Sequence, residues 1–125
     1  MPFDMLPQTT DAPALPFWHI MPTDSPEKRA LKFAYAKIAH KRNWCRSETA
    51  CDERGRHVGA NNPSAIRFCA YGAMVRAQYD LELPAGTAFQ AVKSGGLTMG
   101  RVTFFNDWLG RRAVMWILKN AILRV

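Results

Sequence analysis

The stretch Asn62–Val75 constrains the fold of this chain most, because it is apolar almost all the way round a helical wheel. It reads NPSAIRFCAYGAMV, and its Asn-Pro start is typical of a helix N-terminus. A helix without a polar face has to lie in the middle of a domain. We therefore expect a central helix over 63–79, capped by Asn62, in which Gly72 and Ala73 let the last helix approach closely.

Three more helices are predicted around this one, and they span 25–43, 83–93 and 107–123. The first begins at Ser25-Pro26, because Ser is a good N-cap and Pro suits the first helical turn. Asn106 or Asp107 is the expected cap of the last helix. Residues 98–105 before it fit a short strand or an extended connection.

Residues 44–58 contain a turn sequence, Asp52–Gly55, so that a short β-hairpin and an irregular loop both fit. The predicted fold is therefore mainly α, a single-domain bundle of about four helices around a central apolar helix, with the hairpin as an option. Residues 1–24 are rich in proline and are expected to form an N-terminal segment that docks partly, through Phe17–Met21. Residues 25–125 are expected to form the helical domain.

The charge of the chain favours an anionic partner. The formal net charge is +7, and such an excess suits an acidic protein surface or nucleic acid. Residues 28–42 contain basic but no acidic side chains, and every charged residue after Asp107 is basic. Because Arg29, Phe33 and Lys37 lie four residues apart, cations bracket an aromatic ring on one helix face. The predicted binding face consists of Arg29, Lys32, Phe33, Lys37, Lys41, Arg111 and Arg112.

The three cysteines indicate reduced thiols, since an odd number without a secretory leader is typical of a cytoplasmic protein. Cys45, Cys51, His57 and Cys69 offer a ligand set that zinc accepts. The tight Cys-x-x-Cys spacing of structural zinc sites is missing, however, and no cofactor is expected. A thiol nucleophile would pair Cys45 or Cys51 with His40 or His57, although no local pattern supports such a pair.

Asn106-Asp107 has two interpretations. The simpler one is a helix cap, whose side chains accept hydrogen bonds from unpaired backbone N–H groups. In the other, Asp107 is buried against Arg67 or Arg101 and anchors a polar network. We predict the cap.

Several landmarks follow one another in a recognisable order: Trp44-Cys45, Cys51-Asp52-x-x-Gly55, Ala65-x-x-Phe68-Cys69-x-x-Gly72-Ala73, and Phe105-Asn106-Asp107 before an apolar helix. This order resembles a family of small, uncharacterised bacterial and phage domains, which have a Trp-Cys-x-x-Gly-Ala helix and a downstream Asn-Asp pair. The resemblance covers roughly residues 31–121, and Phe68 stands where the family pattern has Trp. It implies a shared helical fold and supplies no catalytic residue.

We therefore expect a small, non-enzymatic, basic binding protein of phage or other mobile-element origin. It would act in the cytoplasm, in an inhibitor-like way, on a partner protein or a nucleic-acid-handling complex. The alternatives are direct binding of DNA or RNA and a small zinc- or thiol-dependent enzyme. No membrane contact is expected, since no apolar run approaches the roughly 20 residues that span a bilayer. Trp116 and Leu123 lie off the apolar stripe of the last helix, and a homodimer contact is one role for them.

Overall fold

The computed structural model describes residues 14–125. Within them the chain forms α1 (Pro26–Ala39), β1 (Ala50–Cys51), β2 (His57–Val58), β3 (Arg67–Phe68), α2 (Ala70–Asp80), α3 (Thr87–Ser94), α4 (Met99–Phe104) and α5 (Arg111–Arg124). A 3-10 turn, Lys41–Asn43, follows α1, and a π-helical turn, Phe105–Leu109, joins α4 to α5. The predicted mainly α class with a short hairpin is confirmed. None of the helices in the described range is long and apolar enough to cross a membrane.

Helix α1 begins where its sequence predicts. Lys28 N–H donates to Ser25 Oγ (3.1 Å), and Pro26 occupies the first turn. Its apolar face, formed by Leu31, Ala34, Tyr35 and Ile38, is buried. Because α1 packs against α2, α3 and α5, it is α1 that lies in the middle of the bundle.

The predicted helix over 63–79 is wrong in its first half. Asn62 caps a turn instead, since its Oδ1 accepts from the N–H of Ser64 (2.9 Å). The chain then forms strand β3, and α2 begins only at Ala70, with Cys69 as its N-cap. Asn-Pro-Ser is a turn sequence as well as a helix start, and pairing with β1 decides between the two. Helix α2 is also not enclosed all round, because Tyr79 is 60% exposed.

The small sheet has the strand order β2-β1-β3, with both pairs antiparallel. Ala50 lies opposite Val58 on one side and Phe68 on the other, and Phe68 is buried in the core. Asp52 closes the β1–β2 turn, since its Oδ1 accepts from the N–H groups of Arg54 and Arg56 (2.9 Å each). The predicted turn at 52–55 is confirmed.

Gly72 permits a close approach, but the neighbour is not the last helix as predicted. A Cβ atom at this position would lie 1.9 Å from the backbone oxygen of Thr49. Cys69 N–H donates to that same oxygen (3.2 Å), which fixes the loop before β1 against the start of α2. The absence of a side chain at Gly72 therefore lets the sheet and α2 pack together.

The region 98–110 also differs from its prediction. Residues 99–104 form α4, capped by Thr98, whose Oγ1 accepts from Arg101 N–H (3.2 Å). Helix α5 does not begin at Asn106 or Asp107, because both lie in the π-helical turn, and Gly110 (φ +96°) precedes α5. The buried stripe of α5 is formed by Val114, Ile117, Leu118, Ala121 and Ile122, whereas Val125 is exposed.

Residues 17–24 attach to the bundle through an aromatic cluster and an ion pair. The rings of Phe17 and Trp18 lie 4.8 and 5.3 Å from that of Tyr35. The Lys32 ammonium contacts Asp24 Oδ2 (2.6 Å) and donates to the backbone oxygen of His19 (2.8 Å). Predictions for residues 1–13 lie outside the described residues.

Acidification is expected to weaken this attachment. The hydrogen bond from Lys32, helped by that from Met21 N–H, holds the pKa of Asp24 below its usual value of 3.8. A carboxylate whose pKa is lowered by folding stabilises the native state above its unfolded-state pKa, and this contribution is lost as pH falls through the folded-state pKa. Urea denaturation should therefore show the free energy of unfolding falling below about pH 4.

The matched variant is Asp24→Asn, which should show a shallower fall over the same pH range. A residual fall is expected from Asp52, because the N–H of Arg56, followed by its side chain, lowers the pKa of that carboxyl. An equally steep fall in Asp24→Asn and in the unmodified chain would contradict the role given to the ion pair.

Candidate functional site

A basic cavity of about 380 Å³ lies between the end of α1 and the start of α5. Its lining residues are Lys41, Trp44, Leu109, Arg111 and Arg112. The fold thus brings Lys41 close to Arg111 and Arg112, which follow it by 70 residues or more in the sequence. Cations from two helix ends therefore share one concave surface.

The local structure explains how these cations are placed. Arg111 Nη1 donates to the backbone oxygen of Ala39 (2.7 Å). A side chain from the first turn of α5 thus hydrogen-bonds a carbonyl group in the last turn of α1. The 3-10 turn that follows α1 carries Lys41. Arg111 thus has a structural role, while Lys41 and Arg112 are exposed and form no ion pair with the residues that the structure describes.

An apolar hollow of about 200 Å³ adjoins the basic cavity. It is lined by Phe105, Leu109, Ala113, Trp116 and Ile117. Leu109 lines both the cavity and the hollow, so the two form one surface, which we call the Leu109 face.

Large apolar side chains are exposed on the face itself, at Trp116 and Leu109, and at Trp108, the chain neighbour of Leu109. Trp108 is 74% exposed and Trp116 66% exposed, with Phe104 and Leu109 also exposed. The ring of Phe104 lies 6.3 Å from that of Trp108. Contiguous exposed apolar patches on a monomer usually mark an interaction site. The prediction that Trp116 lies off the buried stripe of α5 is confirmed, whereas Trp108 was not singled out by the sequence.

Asn106 belongs to the same π-helical turn as Trp108 and Leu109. Its side chain is buried, with 1% exposed, and connects the turn to neighbouring elements by hydrogen bonds. Asn106 Oδ1 accepts from Trp44 Nε1 (2.7 Å) and from Ala70 N–H (3.0 Å). Its Nδ2 donates to the backbone oxygen of Cys45 (3.3 Å) and to Asp107 Oδ1 (3.0 Å). The Asn106 side chain therefore accepts a hydrogen bond from the first N–H group of α2, next to the N-cap Cys69. It does not cap α5, contrary to the prediction from the sequence.

Asp107 extends this polar network towards the loop before β1. Its Oδ1 accepts from Ser47 N–H (2.9 Å), and its backbone oxygen accepts from Arg46. Neither Arg67 nor Arg101, the partners considered from the sequence, donates to it among the described residues. Arg67 donates instead to the backbone oxygens of Arg42 (3.1 Å) and Asp52 (3.2 Å).

The rest of the predicted binding face on α1 does not form one exposed surface. Lys32 is 5% exposed, and its ammonium is held by Asp24, so its assignment to an accessible basic face is wrong. Arg29, Phe33 and Lys37 are half-buried. Lys37 Nζ lies 5.4 Å from the ring centroid of Phe33 and 5.5 Å from that of the buried Phe68. Its charge is therefore placed over core aromatic rings.

The surroundings of two of the thiols, Cys45 and Cys69, raise their pKa. Burial raises the pKa of Cys45, and the neighbouring Cys51 and Cys69 raise it further. Burial likewise raises the pKa of Cys69, although the N–H of Gly72 partly offsets this effect. The thiol of Cys45 donates to the backbone oxygen of Glu48 (3.3 Å). A neutral, buried thiol is a poor nucleophile.

The histidine of the predicted metal and thiol sites is engaged elsewhere. His57 Nδ1 lies 2.7 Å from Glu48 Oε1 at the protein surface. His40 is exposed at the end of α1. Within residues 14–125 no three His, Cys, Asp or Glu side chains are grouped so that they could hold a metal ion. The ligand set Cys45, Cys51, His57 and Cys69 is thus not assembled as a metal site in the described part of the chain.

Comparisons of this chain with models of protein families, with curated proteins and with solved structures give no match. They leave the resemblance drawn from the sequence landmarks untested, and it stays a prediction. The function is therefore inferred from the geometry of the Leu109 face.

Proposed function

We propose that this chain is a non-enzymatic binding protein that docks through the Leu109 face onto an acidic surface of a partner protein. The observation that carries this proposal is the wall residue Leu109, which is shared by a cavity with exposed cations and an apolar hollow. Protein interfaces combine large buried anchors with a polar rim, and Trp and Arg are their commonest energetic hot spots.

The charges of this face favour an acidic partner. From Trp108 to Val125 the charged side chains are Arg111, Arg112, Lys119 and Arg124. Asp107, the nearest preceding carboxylate, accepts hydrogen bonds from Ser47 and Asn106. A carboxylate on a partner would therefore meet cations here without a competing acid on the same helix.

Direct binding of nucleic acid is the alternative, since exposed tryptophans stack on bases and cations contact phosphates. The walls of the hollow favour a protein partner, because they are formed by apolar side chains, of which only Trp116 carries a hydrogen-bonding group, its indole N–H. A concave apolar site suits an aliphatic or aromatic side chain, whereas a base stacks on a flat exposed ring.

The surroundings of the thiols argue against an enzyme. The pocket beside Cys69 and Asp107 measures about 110 Å³, well below the roughly 300 Å³ at which small-molecule sites begin. The raised pKa of Cys69 keeps its thiol protonated at neutral pH. The proposal therefore places the function on the surface, at the Leu109 face.

The test is affinity capture from a lysate of the organism that encodes the chain, carried out with and without nuclease treatment. Three forms are compared: the unmodified chain, the double variant Trp108→Ala/Trp116→Ala, and Tyr79→Ala as a control that removes an equally exposed aromatic ring from α2. A captured protein is then purified, and its affinity for each form is measured directly.

We expect one protein to bind the unmodified chain and the Tyr79→Ala control alike, and to bind the double variant at least about tenfold more weakly. Exposed side chains carry little folding energy, so all three forms should unfold at similar temperatures. Equal affinity of the captured protein for the unmodified chain and for the double variant would contradict the proposal. Capture that disappears after nuclease treatment would also contradict it and would favour the nucleic-acid alternative.

A further inference from the structure

We infer that the segment bound by the Leu109 face is an acidic amphipathic α-helix of the partner, with one large apolar side chain seated in the hollow. This inference rests on the proposed function and specifies the partner's local structure. Three properties of the face support it: the size of the hollow, the hydrogen bonding of the helical backbone around it, and the position of the cations.

The hollow accommodates a side chain and no more. Its volume of about 200 Å³ is below the roughly 300 Å³ of a typical small-molecule pocket. It is walled by the π-helical turn on one side and by Ala113, Trp116 and Ile117 of α5 on the other. A single Leu, Phe or Trp of the partner would bury its surface there as an anchor.

The backbone of the face excludes recognition by strand addition. The hollow and the exposed tryptophans belong to the π-helical turn and α5, in which backbone N–H and C=O groups pair along the helix. An extended peptide gains its affinity from main-chain hydrogen bonds to a free sheet edge, and this face has none. A partner helix satisfies its own backbone and presents side chains only, so it fits such a surface.

The cations determine where the acidic residues of the partner helix lie. Lys41 and Arg112 line the basic cavity, which shares the wall residue Leu109 with the hollow. Residues three or four apart on a helix lie on the same face. An Asp or Glu one turn from the apolar anchor would therefore meet Lys41 or Arg112 while the anchor fills the hollow.

A second copy of this chain fits the face poorly. In a two-fold dimer the same patch meets itself, so a face that carries Lys41, Arg111 and Arg112 would meet a second cationic face. Like charges set against each other oppose association. The homodimer predicted through Trp116 and Leu123 is thus less favoured than an acidic partner.

The test is a selection from two displayed libraries of helical peptides of about 15 residues, at about 0.15 M salt. Both libraries vary the apolar positions i, i+3, i+4 and i+7, and they differ in carrying either Glu or Lys on the flanking positions. The unmodified chain, the variant Lys41→Glu/Arg112→Glu and the variant Trp116→Ala serve as baits. Selected peptides are then measured free in solution by fluorescence anisotropy.

We expect the unmodified chain to enrich peptides from the acidic library, with Leu, Phe or Trp at one anchor position. Lys41→Glu/Arg112→Glu should reverse the preference towards the Lys library. Trp116→Ala should weaken the binding of the selected peptides by about tenfold or more. Equal enrichment from both libraries, or enrichment unchanged by the charge reversal, would overturn the inference.

Failure of the inference is distinguishable from failure of the proposed function. If a lysate protein binds in a tryptophan-dependent manner but neither library is enriched, the inference is wrong and the proposed function stands. If oligonucleotides displace the selected peptides and bind more tightly than they do, both are wrong. Sedimentation that shows a dimer lost on Trp116→Ala would also overturn the inference, because a second copy would then occupy the face.

Discussion

Replacement of Asn106 by Leu is expected to lower the free energy of unfolding by about 4 kcal/mol. Leu has a similar shape but leaves the indole N–H of Trp44 and the N–H of Ala70 without their acceptor, Asn106 Oδ1. Each buried donor left unpaired costs about 1–3 kcal/mol. The backbone oxygen of Cys45 and the carboxylate of Asp107 lose a donor as well.

The matched control is Asn120→Leu, at an Asn on α5 whose Nδ2 donates within its own helix to the backbone oxygen of Trp116 (2.8 Å). This half-buried site joins no other element, so its replacement should cost less than about 1 kcal/mol. Both values come from chemical denaturation followed by circular dichroism. Similar losses in the two variants would contradict the central structural role of Asn106.

Gly72→Ala is expected to destabilise the chain by about 3 kcal/mol, against the usual trend for glycines inside helices. The new Cβ would lie 1.9 Å from the backbone oxygen of Thr49 and 2.9 Å from its carbonyl carbon. Because these are backbone atoms, the sheet would have to separate from α2. The greater helix propensity of Ala offsets only about 1 kcal/mol of this cost.

Gly100→Ala in α4 is the control for Gly72→Ala. At Gly100 the nearest atom to a new Cβ is Thr98 Oγ1, at 3.8 Å, an ordinary contact distance. This variant should be neutral or more stable by up to about 1 kcal/mol. Relative to the unmodified chain, the midpoints of thermal and urea unfolding should therefore shift in opposite directions in the two variants. A stabilised Gly72→Ala variant would show that Thr49 does not pack there as described.

The sequence predicts those elements whose signals are local. Helix α1 has a good cap, a Pro in its first turn and a regular apolar face, and all three agree. The start of α2 was missed because strand β3 is only two residues long and depends on pairing with β1, about fifteen residues earlier in the chain. The role of Gly110 was missed because Asn106-Asp107 looks like an equally good cap.

The candidate site was predicted in part. Lys41, Arg111 and Arg112 were assigned to a basic surface, but only packing of α1 against α5 shows that they line one cavity. Lys32 was assigned wrongly because its partner Asp24 lies before α1, and a helical wheel shows only residues of the helix itself. Trp108 was missed, although its four-residue spacing from Phe104, outside the predicted core, was a usable signal.

The most direct test uses the indole N–H signals of the four tryptophans of the 15N-labelled chain, followed by NMR while an acidic helical peptide from the selection is added. The account predicts that the signals of Trp108 and Trp116 shift in proportion to the bound fraction, while that of Trp18, packed on Tyr35, stays in place. Binding that shifts Trp18 and leaves Trp108 and Trp116 unchanged would contradict the assignment of function to the Leu109 face.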